Sequence, residues 1–278
     1  MPQGSVLGPL LFIIFINDII LQTQSNNNVK IALFVDDTKL FSNNPDDLQT
    51  CLDSFNSNIE QYQLKLAPHK CFVLPISKKN DSSPRSQNFH INSTPLNLES
   101  SAKDLGVIIH SELKWENHIN KISRQAKIIS YQILKSFKTN NIWTLLSLYK
   151  CYIRPLLEFN TQVWTPHLIK DKDSIEGIQI QYTKQICNQC NIRNVSYQDR
   201  LYKLGLISLQ DRRKKFDLIT MFKIINGISV LKFDDYFYFQ SSQYSLRNSA
   251  AKVRLHNHFN CNTWYGSFFI ELQNTGII

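Results

Sequence analysis

Val29-Lys30-Ile31-Ala32-Leu33-Phe34-Val35-Asp36-Asp37-Thr38-Lys39-Leu40-Phe41 holds two short β-type runs, Val29 to Phe34 and Leu40-Phe41, parted by Asp36-Asp37-Thr38-Lys39. Polar turn-formers between two apolar runs predict a β-hairpin, here with two carboxylates at its turn. Adjacent carboxylates repel and raise each other's pKa, so such a pair is costly unless a cation neutralises it. Mg²⁺ takes one or two carboxylates and completes its shell with water and phosphate oxygens. Two such ions about 3.5–4 Å apart clamp the attacking and leaving oxygens of a phosphoryl transfer. A plain solvated turn accounts for the dipeptide taken alone, so its surroundings have to decide.

Upstream, residues 5–21 read as a buried helix behind Pro2-Gln3-Gly4-Ser5, with Ser5 as candidate N-cap. Downstream, Asn44-Pro45 opens a helix on which Leu48, Leu52, Phe55, Ile59 and Tyr62 form one apolar stripe that needs a sheet to cover. Between Lys70 and Ile109 the pattern turns to short strands, Cys71 to Ile76, Phe89 to Ile91 and Leu105 to Ile109, with a polar loop at Ser82 to Gln87. After Trp115 it becomes helical. Ile119, Ile122, Ala126, Ile129, Ile133 and Phe137 make one stripe; Leu145, Leu148, Tyr149 and Tyr152 make another, which Pro155 should end. Ser196-Tyr197-Gln198-Asp199 and Ser208-Leu209-Gln210-Asp211 read as acidic capping boxes, the second helix stopping at Gly227. From Lys232 onward no period is clear.

A hydrophobic share of 42% in 278 residues rules out a disordered chain, and only 8 Gly and 9 Pro argue against a turn-dense all-β fold. The net charge of +9 is uneven. Residues 1–60 carry 2 basic and 7 acidic side chains, 61–138 carry 12 and 5, and 139–278 carry 17 and 10. Basic surface beside an acidic cluster suits a polyanionic partner and divalent cations, or ordinary solvated charge. Six scattered cysteines do not form a disulfide framework, which points to a reducing intracellular compartment, nucleus or cytoplasm, and to unmodified sequons at Asn80, Asn92 and Asn194. The run Leu10 to Ile16 lacks a preceding basic residue and a cleavage site, and is shorter than the roughly 20 residues a membrane span needs.

The order Pro2-Gln3-Gly4-Ser5-Val6-Leu7-Gly8-Pro9-Leu10-Leu11-Phe12, Ile16-Asn17-Asp18-Ile19, Phe34-Val35-Asp36-Asp37-Thr38 closely resembles the palm of reverse transcriptases of non-LTR retrotransposons, the jockey-like and LINE-like group. Lys70-Cys71 with its following strand resembles the next palm motif. Leu105-Gly106-Val107 with Leu113-Lys114-Trp115 and His118-Ile119 resembles the primer grip, and Tyr149 through Trp164 the thumb. Leu204-Gly205-Leu206-Ile207-Ser208-Leu209 with Arg212-Arg213 is similar to the segment that follows.

The resemblance implies an α+β fold: a partial polymerase palm over 1–113, a helical thumb-like region over 114–170, a helical C-terminal segment over 171–231 and an unassigned tail over 232–278. It implies RNA-directed DNA polymerisation with Mg²⁺ or Mn²⁺, an RNA template, a DNA primer and deoxynucleotides, and no membrane. Asp36 is then the metal-binding aspartate and Asp37 its neighbour. Phe34 gives apolar contact to primer or nucleotide, and Val35 replaces a commoner Ala. Gln3 and Gly4 lie along template and nucleotide, unless they are only a helix-entry turn. Lys70 sits near the leaving pyrophosphate as general acid, unless it is a surface lysine. Gly106 joins the nucleic-acid contacts through the primer grip. In this family another metal-binding aspartate and the fingers precede the Pro-Gln-Gly-Ser motif, so the sequence reads as N-terminally truncated and catalytically incomplete, with a noncatalytic nucleic-acid-binding remnant as the alternative. Asp46 and Asp47 read as helix N-terminal charges rather than substitutes.

Arg212-Arg213-Lys214-Lys215 either tracks a phosphate backbone or forms a solvated face. Cys187 and Cys190 have half a zinc site's spacing, with His256, His258 and Cys261 as conceivable partners, but read as reduced thiols. Trp115, Trp143, Trp164 and Trp264 read as core or interface anchors rather than stacking platforms.

Overall fold

The computed structural model describes residues 6–23, 28–76, 88–240, 252–255 and 267–273. Gln3, Gly4, Ser5, Asn80, the loop Ser82 to Gln87, His256, His258, Cys261 and Trp264 lie outside them. The chain divides into two compact units. One comprises Met1–Asp104, Ile109–Leu113 and Asn257–Ile278; the other comprises Leu105–Ile108 and Lys114–His256. The secondary structure is mixed, α+β, as the sequence predicts.

The first unit runs α1 (Gly8–Thr23), β1 (Lys30–Phe34), β2 (Asp37–Ser42), α2 (Pro45–Gln61), a 3₁₀ turn over Pro68–Lys70, β3 (Phe72–Ile76), β4 (His90–Ile91), β5 (Thr94–Pro95), β6 (Asn97–Leu98) and β7 (Ser101–Asp104). Asn44 caps α2 through its side chain, which accepts from the Asp46 N–H at 3.1 Å, and Pro45 follows where no donor is missed. Leu48, Leu52, Phe55 and Ile59 are fully buried against Ile16, Ile19, Leu40 and Val73. The helix α1 departs from expectation. Ile16 and Ile19 are buried, yet Leu10, Leu11, Ile13 and Ile14 are half exposed or more, so only one side of this apolar helix is covered among the described residues.

The sheet has the order β1-β2-β11-β3-β6, and its middle strand comes from the tail, β11 (Ser267–Gln273). It pairs antiparallel with β2, from Phe268 opposite Ser42 to Gln273 opposite Asp37, and antiparallel with β3, from Ser267 opposite Ile76 to Glu271 opposite Phe72. Two antiparallel pairings make β2 and β3 run in one direction, so both begin at the same end of the sheet. Alternation sends Leu40 and Val73 to the helix-covered face and Phe41, Phe72 and Leu74 to the other, where Leu74 packs with Ala102 and Ile109.

The second unit contains the helices α3 (Glu116–Ser136), α4 (Ile142–Leu148), α5 (Arg154–Glu158), α6 (Thr161–Trp164), α7 (Ile169–Gln189), α8 (Tyr197–Leu204), α9 (Leu209–Ile225) and α10 (Phe233–Tyr236), then the ribbon of β9 (Phe237–Gln240) and β10 (Lys252–Leu255). The strand β8 (Val107–His110) pairs with β7, so the strand expected from Leu105 is shortened. Leu105 at φ +42° and Gly106 at +93° form the turn instead, a geometry that glycine adopts without a Cβ penalty. Pro155 does not end its helix. A π turn over Tyr149–Ile153 absorbs the proline's missing N–H and its clash with the preceding turn, and α5 continues to Glu158.

Buried polar groups tie these helices together. Gln179, with no exposed surface, accepts from the Tyr149 hydroxyl at 2.6 Å and donates to the Tyr197 hydroxyl at 2.8 Å and to the Ile207 carbonyl at 3.1 Å. Glu176 receives the Tyr197 hydroxyl and caps the start of α9, accepting from the backbone N–H groups of Leu209 and Gln210 at 3.2 Å each. Both predicted capping boxes form: the Ser196 and Ser208 hydroxyls accept from the Asp199 and Asp211 N–H groups at 3.2 and 3.0 Å. Gly205 and Gly227, both left-handed, close α8 and follow α9.

Candidate functional site

The predicted hairpin forms with a tighter turn than the sequence suggests. Phe34 pairs directly with Asp37, so Val35 and Asp36 alone make the loop and Asp37 to Lys39 belong to the strand. The strand twist favours a positive φ at the first loop position, and Val35 takes it at +56°. A β-branched residue is strained there. Val35→Gly is therefore expected to stabilise the fold by up to about 1 kcal/mol, the relief of a left-handed side chain less the added chain entropy of glycine. Urea unfolding with an unchanged m-value checks this.

Asp36 is exposed at the turn and Asp37 is half-buried beside it. Burial first, and then the neighbouring Asp36 charge, raise the Asp37 carboxyl above its ordinary value; Lys39 pulls it down and Asp104 adds to the rise. Lys39 and Asp104 form an ion pair, with 7% and 19% of their side chains exposed. This pair escaped the sequence reading, which put Lys39 in the turn. The signal was strand alternation, which puts Asp37, Lys39 and Phe41 on one face. Asp18 accepts from the Tyr62 hydroxyl, which also accepts from Gln22 Nε2 at 2.8 Å, and so links α1 to the end of α2.

Lys70 is exposed at the end of the 3₁₀ turn, two residues before β3. Because Lys39, Glu271 and Phe72 stand side by side in register, Lys70 lies at the sheet end where Asp36 and Asp37 lie, two strand spacings or roughly 10 Å across. Phe34 is 56% exposed and Val35 50%, so this end of the sheet presents an apolar edge beside its carboxylates. Gly106 has a local structural reason: a Cβ there would stand 3.1 Å from the Phe159 ring.

The basic run at the start of α9 does not form one charged face. Arg212 makes a two-pronged pair with Glu158, its Nη2 at 2.9 Å from Oε2, and Arg213 is buried, both its terminal nitrogens lacking a hydrogen-bond partner among the described residues. Lys214 pairs with Asp211 at 3.2 Å, and Lys215 is exposed. Cys187 is buried and Cys190 donates to the Asn140 carbonyl at 3.1 Å. Among the described residues no three His, Cys, Asp or Glu side chains gather as a metal site. Trp164 is a core residue, its indole donating to the Phe159 carbonyl at 2.8 Å, whereas Trp143 is 61% exposed. Among the described residues no helix is long and apolar enough to cross a membrane.

Residues 1–109, which include the Asp36-Asp37 hairpin, match the family model of the reverse transcriptase (RNA-dependent DNA polymerase). That part of the chain is similar to reverse transcriptases, and the relatives it matches come from non-LTR mobile elements of the jockey-like kind. The chain is 25% identical over 198 residues to the RNA-directed DNA polymerase from mobile element jockey of Drosophila melanogaster, covering 66% of this chain and 21% of that one. It is 26% identical over 177 residues to a probable RNA-directed DNA polymerase from transposon X-element of the same fly, covering 59% and 19%. An uncharacterised Caenorhabditis elegans protein is 29% identical over 124 residues, 45% of this chain and 63% of that one. The chain thus spans about a fifth of the length of the curated polymerases it matches. No solved structure matches it. Reverse transcriptases use divalent metal ions and bind a template and primer, and the hairpin's two-carboxylate donor set suits an ion that takes its remaining ligands from phosphate and water.

Proposed function

We propose that this segment works in RNA-directed DNA polymerisation for a non-LTR element, with Asp36 and Asp37 holding Mg²⁺ or Mn²⁺ against nucleotide phosphates. The observation that carries this reading is the register that sets the adjacent Asp36 and Asp37 carboxylates at the sheet end shared with Lys70. A bound divalent ion supplies positive charge for the phosphate oxygens of an incoming deoxynucleotide. Asp36 and Asp37 orient that charge, Phe34 offers an apolar surface to the nucleotide or primer end, and the Lys70 ammonium carries a proton for the leaving pyrophosphate. Gln3, Gly4 and Gly106 belong to the template and nucleotide contacts in the same reading.

The linkage gives a direct test. A raised carboxyl pKa favours the fold below the unfolded value of about 3.8 and gives that contribution up as pH rises through the folded value, so at neutral pH Asp37 works against stability. A cation bound at the hairpin reverses this. Millimolar Mg²⁺ or Mn²⁺ is expected to raise the Tm of the chain at pH 7, and the Asp36→Asn/Asp37→Asn variant to melt higher than the parent without metal while losing the metal response. In primer extension on an RNA template, Asp36→Ala is expected to remove at least about a hundredfold of any activity; extension that survives the change overturns the assignment. One observation favours a second reading, nucleic-acid binding without catalysis: among the described residues no third metal-ligating side chain joins the two carboxylates. Template–primer binding with no extension in either metal is the result that reading expects.

A further inference from the structure

Apart from the arginine-lysine run of α9, basic side chains line an open groove between α3 and α7, about 550 Å³ in volume. Lys127, Tyr131 and Lys135 recur at steps of four along α3 and so line one wall over about 12 Å. Gln181, Gln185 and Gln189 recur in the same way on α7 and line the other. Lys138 stands at the end of the groove, on the segment that Gln189 fastens by donating to the Phe137 and Thr139 carbonyls at 3.1 and 2.9 Å.

Residues 117–157 contain seven Lys and Arg and no Asp or Glu, and residues 177–198 contain no Asp or Glu either, so neither wall carries a carboxylate. Tyr131, 64% exposed, presents its ring between the two lysines, with the Lys135 ammonium 5.6 Å from the ring centre. A wall that alternates cation, aromatic ring and cation, faced by neutral amides, suits a polymer whose phosphates alternate with flat, hydrogen-bonding bases. An acidic peptide would satisfy the lysines but offers nothing for the ring or the amides. A base reaches the face of the Tyr131 ring only where it is unstacked from its neighbours, which favours an unpaired run over a duplex.

We propose that the α3–α7 groove binds a single-stranded nucleic-acid segment, its phosphates on Lys127, Lys135 and Lys138 and a base on Tyr131. This rests on the nucleic-acid reading above and locates a contact outside residues 1–109, the part that the family model matches. The test is fluorescence anisotropy of labelled oligo(U) and oligo(dT) with the full chain across a salt series. All four side chains are exposed, so far-UV circular dichroism and the Tm should be unchanged in their variants. Lys127→Gln/Lys135→Gln/Lys138→Gln is expected to weaken binding at least about tenfold and to flatten the salt slope by about 2, since each single-strand phosphate left without its lysine takes roughly 0.7 from that slope. Tyr131→Ala should weaken binding about tenfold with the slope kept. Lys214→Gln/Lys215→Gln should change neither. If the parent binds oligonucleotides and the triple variant binds equally well, the groove assignment falls while the nucleic-acid reading stands. Polyglutamate that competes as well as oligo(U) overturns it in favour of an acidic peptide. A parent chain that binds no oligonucleotide overturns the reading beneath it as well.

Discussion

Ile270→Pro is expected to open the five-stranded sheet. Position 270 lies in the middle of β11, opposite Leu40 on one side and Val73 on the other. A proline there removes a backbone donor from a strand paired along both edges, a change costing about 3 kcal/mol or more. Hydrogen exchange read by mass spectrometry should show β2 and β3 losing protection while α3 and α7 in the other unit keep theirs, because the two units have separate cores. Unchanged protection in β2 and β3 would mean that the tail is not their middle strand. The result bears on the candidate site directly. The register through β11 is what brings Lys70 to the Asp36-Asp37 end, so opening the sheet should also reduce the Tm gain from Mg²⁺.

A second large effect concerns acid. His118 is 2% exposed, its Nδ1 accepts from the Ile108 N–H at 3.2 Å, its Nε2 has no hydrogen-bond partner among the described residues, and its ring meets Trp164 edge-on at 4.9 Å. The ring is therefore held neutral with its proton on Nε2. Burial first, then Lys121, depress its pKa to about 4. For a base depressed in the folded state, the unfolded chain binds the proton first. Stability is intact above the unfolded value of about 6.5 and is lost as pH falls from there towards 4. Going from pH 7 to pH 5 should cost about 2 kcal/mol through this group alone. In urea titrations at the two pH values, His118→Gln should be less stable at pH 7 and lack this increment of acid sensitivity. An equal pH dependence in parent and variant would show that His118 titrates as it does in water.

How much of this was legible differs by element. Asn44-Pro45 and the serine capping boxes at Ser196 and Ser208 could be read from adjacent residues, since a cap is a contact within one turn. The Asp36-Asp37 hairpin was visible too, but its loop was placed too late, because β-propensity undervalues a strand that begins Asp-Thr-Lys. Proline chemistry predicts a helix end at Pro155, yet the helix continues in the fold, since one π turn accommodates the ring without breaking the packing of Tyr149 and Ile153. Arg212 and Arg213 looked like surface charge, but Glu158, fifty-four residues away in sequence, and the packing around α9 decided otherwise.

Periodicity, caps and motifs within a few residues were enough for the α+β class, for the resemblance to polymerases through Phe34-Val35-Asp36-Asp37 and its neighbours, and for the helix starts. The folded chain had to show that the tail supplies the sheet's middle strand, that Lys39 pairs with Asp104, and that the open basic face lies between α3 and α7. Each of those joins residues distant in the chain, and strand pairing, ion pairing and groove formation take their energy from burial and register that no local pattern carries.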